Sequence, residues 1–428
     1  MKVLLISHTV LSKTGNMGKT LRGYLEGFTT EEVAQFYIHA EVPTDVSICR
    51  NYYRFTDVDA IKSIIPIKER GVCLKQNQIE EERTSTRIDR GTIGEVYQFG
   101  RRRTGLIYML RNILWSIGHW KTKRLKEWLK TVNPDVILFA SGDYAFMYKI
   151  ANWVSEYLNK PLVVSCMDDY YLSNANSGTF WGNIYHRLFL NEVSSTMEKA
   201  QCVFTICDTM KQEYMTLFKK KCYTLYTSAE FKKLKLDKEA TQISYIGNLG
   251  YNRYQQLIDM GKAAAAIGRH IDVYSAEKCS SVISEMEKAV GIIFHGSISA
   301  DEVLRVMENS LIVIHTESFD VKNMQKVRFS VSTKIAESLM YGPCLIAYGP
   351  EGIASIDYLK ENNAAYVITS PEDLESGLTE ILTNAELREQ ILRNARSLAV
   401  KNHNADVNPK KVRKWLEDIG NKFNRSKK

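Results

Sequence analysis

The fold of the chain is decided by residues 311–352, whose sequence is LIVIHTESFDVKNMQKVRFSVSTKIAESLMYGPCLIAYGPEG. Two short apolar runs, 311–315 and 344–347, suit buried parallel strands, because strands covered on both faces carry continuous hydrophobic residues. The segment between them ends at Gly342-Pro343, a pair that stops a helix. The stretch is therefore predicted to form a strand, a loop, a helix, a tight turn and a second buried strand.

A polar cluster lies where the predicted helix begins. Ser330, Ser332 and Thr333 supply side-chain oxygens suited to capping, and the first helical turn leaves free backbone N–H groups that bind anions. Lys334 adds a positive charge, and Glu337 follows on the same helical face, about 4.5 Å further along the axis. A pyrophosphate fits this helix start, and the step to Glu337 matches that from a diphosphate to a ribose diol. An ordinary solvated pair of Lys334 and Glu337 is the alternative.

A second motif lies upstream, at residues 243–258, with the sequence ISYIGNLGYNRYQQLI. A predicted strand ends at Gly247, and a loop then leads into a helix. The loop carries Asn248 and delivers Arg253 near the helix start.

The segment 311–352 resembles the donor-binding element of GT-B glycosyltransferases, in particular glycosyltransferase family 4. In that family a Ser-Thr-Lys helix start holds the diphosphate of a nucleotide-sugar, and a glutamate binds the ribose. The resemblance implies the diphosphate role for Ser332, Thr333 and Lys334, and the ribose role for Glu337. It covers most of the second half of the chain, whereas the first half matches mainly in the order of strands and helices.

The upstream motif matches a family loop that carries two basic residues, which neutralise the departing diphosphate. This chain has Asn248 at the first position, directly after Gly247, and Arg253 at the second. Charge that develops on a diphosphate needs a fixed cation or a metal, so Arg253 is predicted to be the main stabiliser of the leaving group. Gly247 and Asn248 are predicted to line the donor site, although Asn248 weakens the expected clamp. A surface arginine near a helix start is the alternative.

The family also has a pair of glutamates at closer spacing than Glu317 and Glu337, which are 20 positions apart. Either a loop is inserted after Phe319, which is the favoured interpretation, or Phe329 takes the place of the first glutamate. In the favoured interpretation Glu317 binds sugar hydroxyls. The inserted loop is then a basic lid with Lys322, Lys326 and Arg328. In the alternative, Glu317 and Asp320 only solvate the end of a strand.

The loop after the first strand, HTVLSKTGNMGKT, is a further candidate in the first half of the chain. In related enzymes this loop touches the donor phosphates, and Gly15 and Asn16 allow the backbone to approach a ligand closely. A P-loop is the weaker interpretation, because the first glycine of that pattern is replaced by Lys13. A plain connection between strand and helix is the alternative.

Asp168 and Asp169 end a buried strand in PLVVSCMDDYY. In related enzymes a residue at this place touches the donor sugar or the acceptor, so both are candidates for acceptor or sugar binding. Helix capping or solvation of the strand end explains them equally well. Adjacent carboxylates point in different directions and Asp168 and Asp169 do not form a D-x-D pattern, so no bound metal is predicted.

The domain organisation follows from length and from the alternation of strands and helices. A chain of 428 residues exceeds the usual limit for one hydrophobic core, so two domains are expected. Short apolar strands alternate with helical patterns, which predicts an α/β protein with mostly parallel sheets. The resemblance implies the GT-B plan, with two Rossmann-like domains facing across a cleft and a C-terminal helix crossing back to the first domain. The predicted parts are an acceptor-side domain at 1–235, a nucleotide-sugar-binding domain at 236–407 and the final helix at 408–428.

The strands are predicted from short apolar runs bounded by turn residues. They lie at 2–7, 135–140, 161–166, 202–206, 222–225, 243–246, 271–274, 291–294, 311–315, 344–347 and 365–368.

The segment 101–130 contains nine Lys or Arg residues and one glutamate, a net charge equal to the +8 of the whole chain. Its basic residues flank the apolar run GLIYMLRNILWSIGHW, a combination that can settle on an anionic bilayer. Nucleic acid is the weaker hypothesis, because no recognition fold accompanies the charge. A long helix packed on the sheet with a solvated basic face is the ordinary alternative.

The predicted function is that of a glycosyltransferase of the hexosyltransferase type, which transfers a sugar from a nucleotide diphosphate donor to a saccharide or lipid-linked saccharide. The resemblance implies retention of anomeric configuration, no cofactor, and a role in capsule or envelope polysaccharide synthesis. Eight cysteines without a C-x-x-C pair, and no signal peptide, predict a cytoplasmic protein, peripheral at the inner face of the membrane. A nucleotide-sugar epimerase and a non-catalytic partner subunit are the alternatives.

Overall fold

A computed structural model of the chain describes residues 1–13, 16–65, 68–75, 79, 104–172, 178–237 and 239–427. The contacts between residues divide the chain into two units. Unit 1 comprises Met1–Leu225 and Val407–Lys428, and unit 2 comprises Tyr226–Asp406.

The strands fall into one sheet in each unit. Unit 1 contains β1 (Val3–Ser7), β2 (Val33–Tyr37), β3 (Asn51–Arg54), β4 (Val72–Lys75), β5 (Val136–Ala140), β6 (Leu162–Ser165), β7 (Cys202–Thr205) and β8 (Cys222–Thr224). Unit 2 contains β9 (Gln242–Ile246), β10 (Ile271–Tyr274), β11 (Ile292–Gly296), β12 (Ser310–Thr316), β13 (Cys344–Tyr348) and β14 (Tyr366–Ile368).

The helices alternate with these strands. Those before unit 2 are α1 (Asn16–Leu25), α2 (Asp57–Ser63), α3 (Gly105–Ile117), α4 (Lys123–Val132), α5 (Ala145–Leu158), α6 (Phe180–Lys199) and α7 (Asp208–Phe218). Unit 2 contains α8 (Arg253–Ala266), α9 (Ser280–Lys288), α10 (Ala300–Asn309), α11 (Val321–Val327), α12 (Thr333–Tyr341), α13 (Ala354–Glu361), α14 (Leu374–Thr383) and α15 (Ala385–Asn402). The chain then returns to unit 1 with α16 (Asn408–Arg425).

Both sheets are built mainly from parallel strands, as the alternation of strands and helices predicts. The sheet of unit 1 has the order β4-β3-β2-β1-β5-β6-β7-β8, and that of unit 2 has the order β11-β10-β9-β12-β13-β14. The pair of β3 and β4 is antiparallel, and the other neighbouring pairs are parallel. Strands such as β1, β5 and β13 are buried along their whole length, which explains their continuous hydrophobic sequences.

Every predicted strand is confirmed, but β2, β3 and β4 were missed, because Gln35 interrupts the apolar run of β2 and because β3 and β4 are only four residues long. Gln35 of β2 is fully buried, and its amide donates to Ser7 Oγ at 2.8 Å and to Thr9 O at 2.9 Å. Its side-chain oxygen accepts from Leu11 N at 3.2 Å. Gln35 therefore fixes the start of the loop that follows β1, and each of its bonds satisfies a group that burial would otherwise leave unpaired.

The last helix packs in unit 1, where α16 contacts α1 and β5. Arg413 of α16 donates to both oxygens of Glu32, at 2.7 and 2.9 Å, and the amino group of Met1 donates to Glu32 Oε1 at 2.8 Å. The hydrogen bonds from Arg413 and Met1 lower the pKa of Glu32 to about 2, against the effect of partial burial. A carboxylate thus joins the two segments of the chain that form unit 1.

Unit 2 begins at Tyr226, ten positions before the boundary predicted at residue 236. The intervening residues pack on the end of unit 2. Ala229 N donates to His403 O at 2.8 Å, and His403 Nδ1 lies 2.7 Å from Thr227 O. These long-range contacts are invisible in a charged, irregular stretch of sequence.

The basic segment 101–130 forms two helices in its described part, α3 and α4, rather than one long helix. Thr104 and Thr122 cap their first turns. Arg101, Arg102 and Arg103 lie outside the described residues. Among the described residues, no helix is long and apolar enough to cross a membrane.

Candidate active site

The order of strands in unit 2 identifies the edge of the sheet where a ligand is expected. The strand β9 lies between β10 and β12, and the chain leaves β9 toward β10 but later crosses back to β12. In open parallel sheets ligands bind outside the carboxyl ends of the strands at such a switch point. The loop after β9 contains Gly247 and Asn248, and Glu317 directly follows β12.

Arg253, the first residue of α8, forms an ion pair with Glu317 at this edge. Its Nε donates to Glu317 Oε2 at 3.0 Å and its Nη2 donates to Glu317 Oε1 at 2.9 Å. The side chains are 16% and 2% exposed, respectively. Burial raises the pKa of Glu317, and the Arg253 guanidinium opposes that rise. Two candidates predicted separately from the sequence therefore form one fork-to-fork contact.

The backbone around Glu317 is held by the neighbouring strand. Glu317 N donates to Tyr348 O at 3.0 Å, at the end of β13. A Cβ atom on Gly349 would lie 3.1 Å from both the Cβ and the backbone oxygen of Glu317. The absence of a side chain at Gly349 leaves the space that Glu317 occupies.

His315, the residue two positions before Glu317 in β12, was not a candidate in the sequence. Its Nε2 lies 3.0 Å from Ser355 Oγ and 3.6 Å from Glu317 Oε1. Burial and the charge of Arg253 lower the pKa of His315 to about 3, so the imidazole is neutral at physiological pH. Side chains alternate along β12, so His315 and Glu317 lie on one face of the strand. This spacing of two residues is the sequence signal that could have identified His315.

The loop after β9 is shaped by its own side chains. The hydroxyl of Tyr245 donates to Asn248 O at 2.7 Å, and the side-chain oxygen of Asn248 accepts from Gly250 N. Asn248, which stands where the family has a basic residue, thus folds the loop instead of supplying charge. Tyr251 and Asn252 follow with φ values of 58° and 60°, in the left-handed region.

Left-handed backbone is rare for a bulky residue such as Tyr251, and strained residues of this kind cluster at functional sites. The ring of Tyr251 is half exposed, and its centroid lies 5.5 Å from the guanidinium carbon of Arg253. This strained turn directly precedes Arg253, which takes the first position of α8.

The predicted polar helix start is the start of α12. Ser332 is the N-cap, and its Oγ accepts from Lys334 N at 3.3 Å. Thr333 is exposed, whereas Lys334 and Glu337 are half-buried. Among the described residues, the Lys334 ammonium has no carboxylate partner. Because α12 leads into the parallel strand β13, its start lies at the same edge of the sheet as Glu317.

The prediction of an inserted loop after Phe319 is wrong in its conformation, because residues Val321–Val327 form the helix α11. Asp320 caps this helix by accepting from Asn323 N at 3.0 Å. Lys322 and Lys326 are exposed on α11, and the guanidinium of Arg328 lies 4.7 Å from the centroid of the Phe329 ring. The basic residues of the predicted lid are thus held on a short helix and its end.

The candidates of the first half of the chain lie in unit 1. Gly15 and the side chain of Asn16 are outside the described residues. Asp169 is buried, and its Oδ1 accepts from Tyr171 N, Leu172 N and the hydroxyl of Tyr214 at 2.8–3.1 Å. Asp168 Oδ1 accepts from Asp169 N at 2.9 Å. These bonds favour the structural alternative for Asp169, which holds the turn after β6.

In the part of the chain that the structure describes, no three His, Cys, Asp or Glu side chains are grouped as metal ligands. The absence of a metal and of a cofactor from the reaction stays a prediction.

These two parallel-stranded α/β units define the fold of GT-B glycosyltransferases, as the sequence predicted. HepE of Anabaena, solved in complex with UDP, has a TM-score of 0.64 at 11% identity over 98% of this chain and 100% of HepE. Sucrose-phosphate synthase of Thermosynechococcus elongatus has a TM-score of 0.59 at 9% identity, over 98% and 99% of the two chains. A glycosyltransferase of Rickettsia africae has a TM-score of 0.59 at 12% identity, over 98% of each chain.

A match to a protein family by sequence covers a shorter part of the chain. Residues 238–413, which include the candidate site of unit 2, match the family described as glycosyl transferase-like. A search of the curated proteins finds no match to this chain.

Replacing Gly247 with alanine is expected to distort the loop after β9. The added Cβ would lie 2.8 Å from the hydroxyl of Tyr245, which is buried and held by Asn248 O. Overpacking of this kind destabilises by about 1–3 kcal/mol, so the urea midpoint should fall. Gly142→Ala is the matched control, because its Cβ meets nothing within 4 Å. Equal losses in the two variants would contradict the prediction.

Unit 2 is expected to lose stability as the pH falls below 6.5. Burial lowers the pKa of His315 to about 3 and that of His403 to about 4, from an ordinary value of 6.5. Below pH 6.5 the unfolded chain takes up protons that the folded chain does not, so each histidine reduces the free energy of unfolding by about 2 kcal/mol at pH 5. Urea unfolding at pH 7 and pH 5 measures the loss.

The variant His403→Gln should show a smaller loss between these pH values, because one of the two buried histidines is removed. His186→Gln, on α6 of unit 1, is the control, because it removes a histidine and leaves both buried histidines of unit 2 in place. An unchanged pH dependence in His403→Gln would show that this histidine is not the source.

Proposed function

We propose that the protein is a glycosyltransferase that moves a sugar from a nucleotide diphosphate donor to a saccharide acceptor. The observation that carries the proposal is the Arg253–Glu317 pair at the switch point of unit 2, within the segment that matches the glycosyl transferase-like family. HepE was solved with UDP and with UDP-glucose, which supports a UDP-sugar as the donor.

Arg253 is the proposed stabiliser of the leaving group, and Glu317 positions it. A guanidinium has five N–H donors, of which Glu317 accepts two, so the others are left for phosphate oxygens. The buried carboxylate of Glu317 holds the Arg253 guanidinium in place. Less reorganisation is then needed when charge develops on the diphosphate, and this preorganisation is the main source of electrostatic catalysis. Lys334 and the first N–H groups of α12 supply further positive charge for the diphosphate.

The proposed reaction retains the configuration of the sugar. The bond between the anomeric carbon and the phosphate oxygen breaks, and its electron pair leaves with the diphosphate. The acceptor hydroxyl then bonds the anomeric carbon on the same face, and its proton passes to the departing phosphate oxygen. No nucleophile of the enzyme is needed, so the protein acts by position and charge.

A saccharide linked to a lipid is the proposed acceptor, in the synthesis of a cell-surface polysaccharide such as a capsule or envelope glycan. The protein would then work at the inner face of the membrane. The support for this part is the basic segment 101–130 with its apolar core.

A thermal-shift screen with UDP, GDP, ADP and dTDP tests donor binding, and UDP is expected to raise the melting temperature most. Incubation with a UDP-sugar alone should then give slow release of UDP and no new sugar isomer. An isomer would instead identify an epimerase. Failure to bind any of the four nucleotides would overturn the proposal in favour of a non-catalytic partner subunit.

A further inference from the structure

A groove in unit 2 lies beside β14, the last strand of its sheet. Its volume is about 480 Å³, within the range of about 300–1,000 Å³ that is usual for small-ligand sites. The end of α13, the start of β14 and the first half of α15 form its walls. Asn363 and Ala365 line the groove and precede β14, so the groove lies at the amino ends of the parallel strands. Arg253 and Glu317 lie at the carboxyl ends, so the groove is separate from the candidate active site.

Three side-chain amides line the groove, those of Asn363, Gln390 and Asn394. Hydrogen bonds along α15 orient two of them. Arg393 Nη2 donates to Gln390 Oε1 at 2.9 Å, and Gln390 Nε2 donates to Asn394 Oδ1 at 3.1 Å. Asn394 Nδ2 then donates to the backbone oxygen of Asn363 at 3.1 Å. An amide nitrogen has two hydrogens and each nitrogen uses one here, so Gln390 and Asn394 each keep an N–H for a ligand.

The third amide belongs to Asn363, which directs the turn between α13 and β14. Asn363 has a φ of 47°, in the left-handed region that asparagine tolerates, and its side chain is exposed. Among the described residues the Asn363 amide has no hydrogen-bond partner. It therefore offers both a donor and an acceptor to a ligand.

The groove carries no unpaired charge in the part of the chain that the structure describes. Its one charged lining residue is Lys360, whose ammonium pairs with Glu351. The hydroxyl of Tyr366 donates to Glu380 Oε2 at 2.6 Å, which fixes the ring. The other lining side chains are apolar, and they are Ala365, Val367, Leu387 and Ile391. The groove thus combines apolar surface with neutral donors and acceptors.

We propose that this groove binds a neutral sugar residue of a saccharide chain, as a second site apart from the site of transfer. Sugar hydroxyls both donate and accept hydrogen bonds, which suits the amides, and the C–H groups of a sugar ring suit the apolar lining. A phosphate or carboxylate fits poorly, because a buried anion needs a cation and Lys360 is already paired. A peptide added as a strand also fits poorly, because β14 is only three residues long.

The inference rests on the proposed function for the source of the saccharide. An enzyme that adds a sugar to a saccharide acceptor meets such a chain at every turnover. A second point of attachment raises the effective concentration of the chain at the protein without any new contact at the site of transfer.

Saturation-transfer NMR of the full-length protein with maltose, cellobiose and lactose tests the proposal. The wild type is expected to bind at least one of these neutral disaccharides. Asn363→Gly/Gln390→Ala removes two amides and should weaken that binding by about tenfold or more. The fold should be kept, because glycine accepts the left-handed backbone and retains the oxygen that Asn394 uses, and because alanine is a good helix former.

The matched control is Asn133→Gly/Gln212→Ala, which makes the same chemical changes in unit 1. Asn133 has a φ of 40°, and Gln212 is an exposed residue of α7. The control should bind the disaccharide as the wild type does. Equal binding by the groove variant and the control would overturn the proposal, and so would a wild type that binds none of the three disaccharides.

Titration with UDP on the same samples separates this inference from the proposed function. The groove variant should bind UDP as the wild type does, because the groove lies at the opposite end of the strands from Arg253. A wild type that binds a disaccharide in the groove but no UDP would refute the proposed function and leave the second site in place. A groove variant that loses UDP and disaccharide together would place the sugar in the candidate active site and overturn the inference.

Discussion

Turnover of Arg253→Ala is expected to fall by about two to three orders of magnitude, measured as UDP release from a UDP-sugar. The substitution removes the cation that faces the proposed leaving group. It also removes the ion-pair partner of the Glu317 carboxylate, which is 2% exposed and pairs with Arg253 in the structure. Breaking a buried pair destabilises by about 3–5 kcal/mol, so the urea midpoint should fall as well. Arg253→Ala is therefore expected to destabilise the fold as well as to slow turnover.

A double-mutant cycle separates the two losses. In Arg253→Ala/Glu317→Gln the buried carboxylate is gone, so stability should recover while turnover stays low. Arg253→Lys keeps the charge but loses the two-point contact and should fall between the wild type and the alanine variant. If the double variant regained turnover together with stability, Arg253 would be a structural residue.

The affinity of Lys334→Ala for UDP is expected to fall by about ten- to a hundredfold. A charge-assisted hydrogen bond to phosphate contributes roughly 1.5–3 kcal/mol, and Lys334 stands at the start of α12 with no carboxylate partner among the described residues. Isothermal titration with UDP measures the change, and its size should shrink as salt is added.

Two control variants accompany this prediction. Lys262→Ala removes an exposed lysine of α8 that pairs with Asp259, and it should leave UDP affinity unchanged. Ser332→Ala removes the cap of α12 and should reduce stability by about 1 kcal/mol while affecting affinity less than Lys334→Ala does. Equal UDP affinities of Lys334→Ala and Lys262→Ala would remove Lys334 from the site.

The sequence predicted the parallel sheets well because their strands are continuous apolar runs. The runs 311–315 and 344–347 correspond to β12 and β13, which pair in parallel. The three missed strands show the limit of this signal. A buried glutamine such as Gln35 looks like a surface residue until its hydrogen-bond partners, 24 to 28 positions away, are known.

The candidate site was predicted residue by residue but not as an arrangement. Arg253 and Glu317 are 64 positions apart, and only the strand order reveals that they meet. Asp320, by contrast, is a local capping signal for α11, and this signal predicts a helix where a loop was expected. The strain at Tyr251 had no sequence signal, because tyrosine has no preference for left-handed backbone.

The placement of α16 has a consequence for synthesis on the ribosome. Unit 2 is continuous in the chain, whereas unit 1 includes a helix that is translated after all of unit 2. Most of unit 2 is therefore synthesised while the surface of α1 and β5 that α16 covers is still bare. The core of unit 1 is completed only after α16 has been translated.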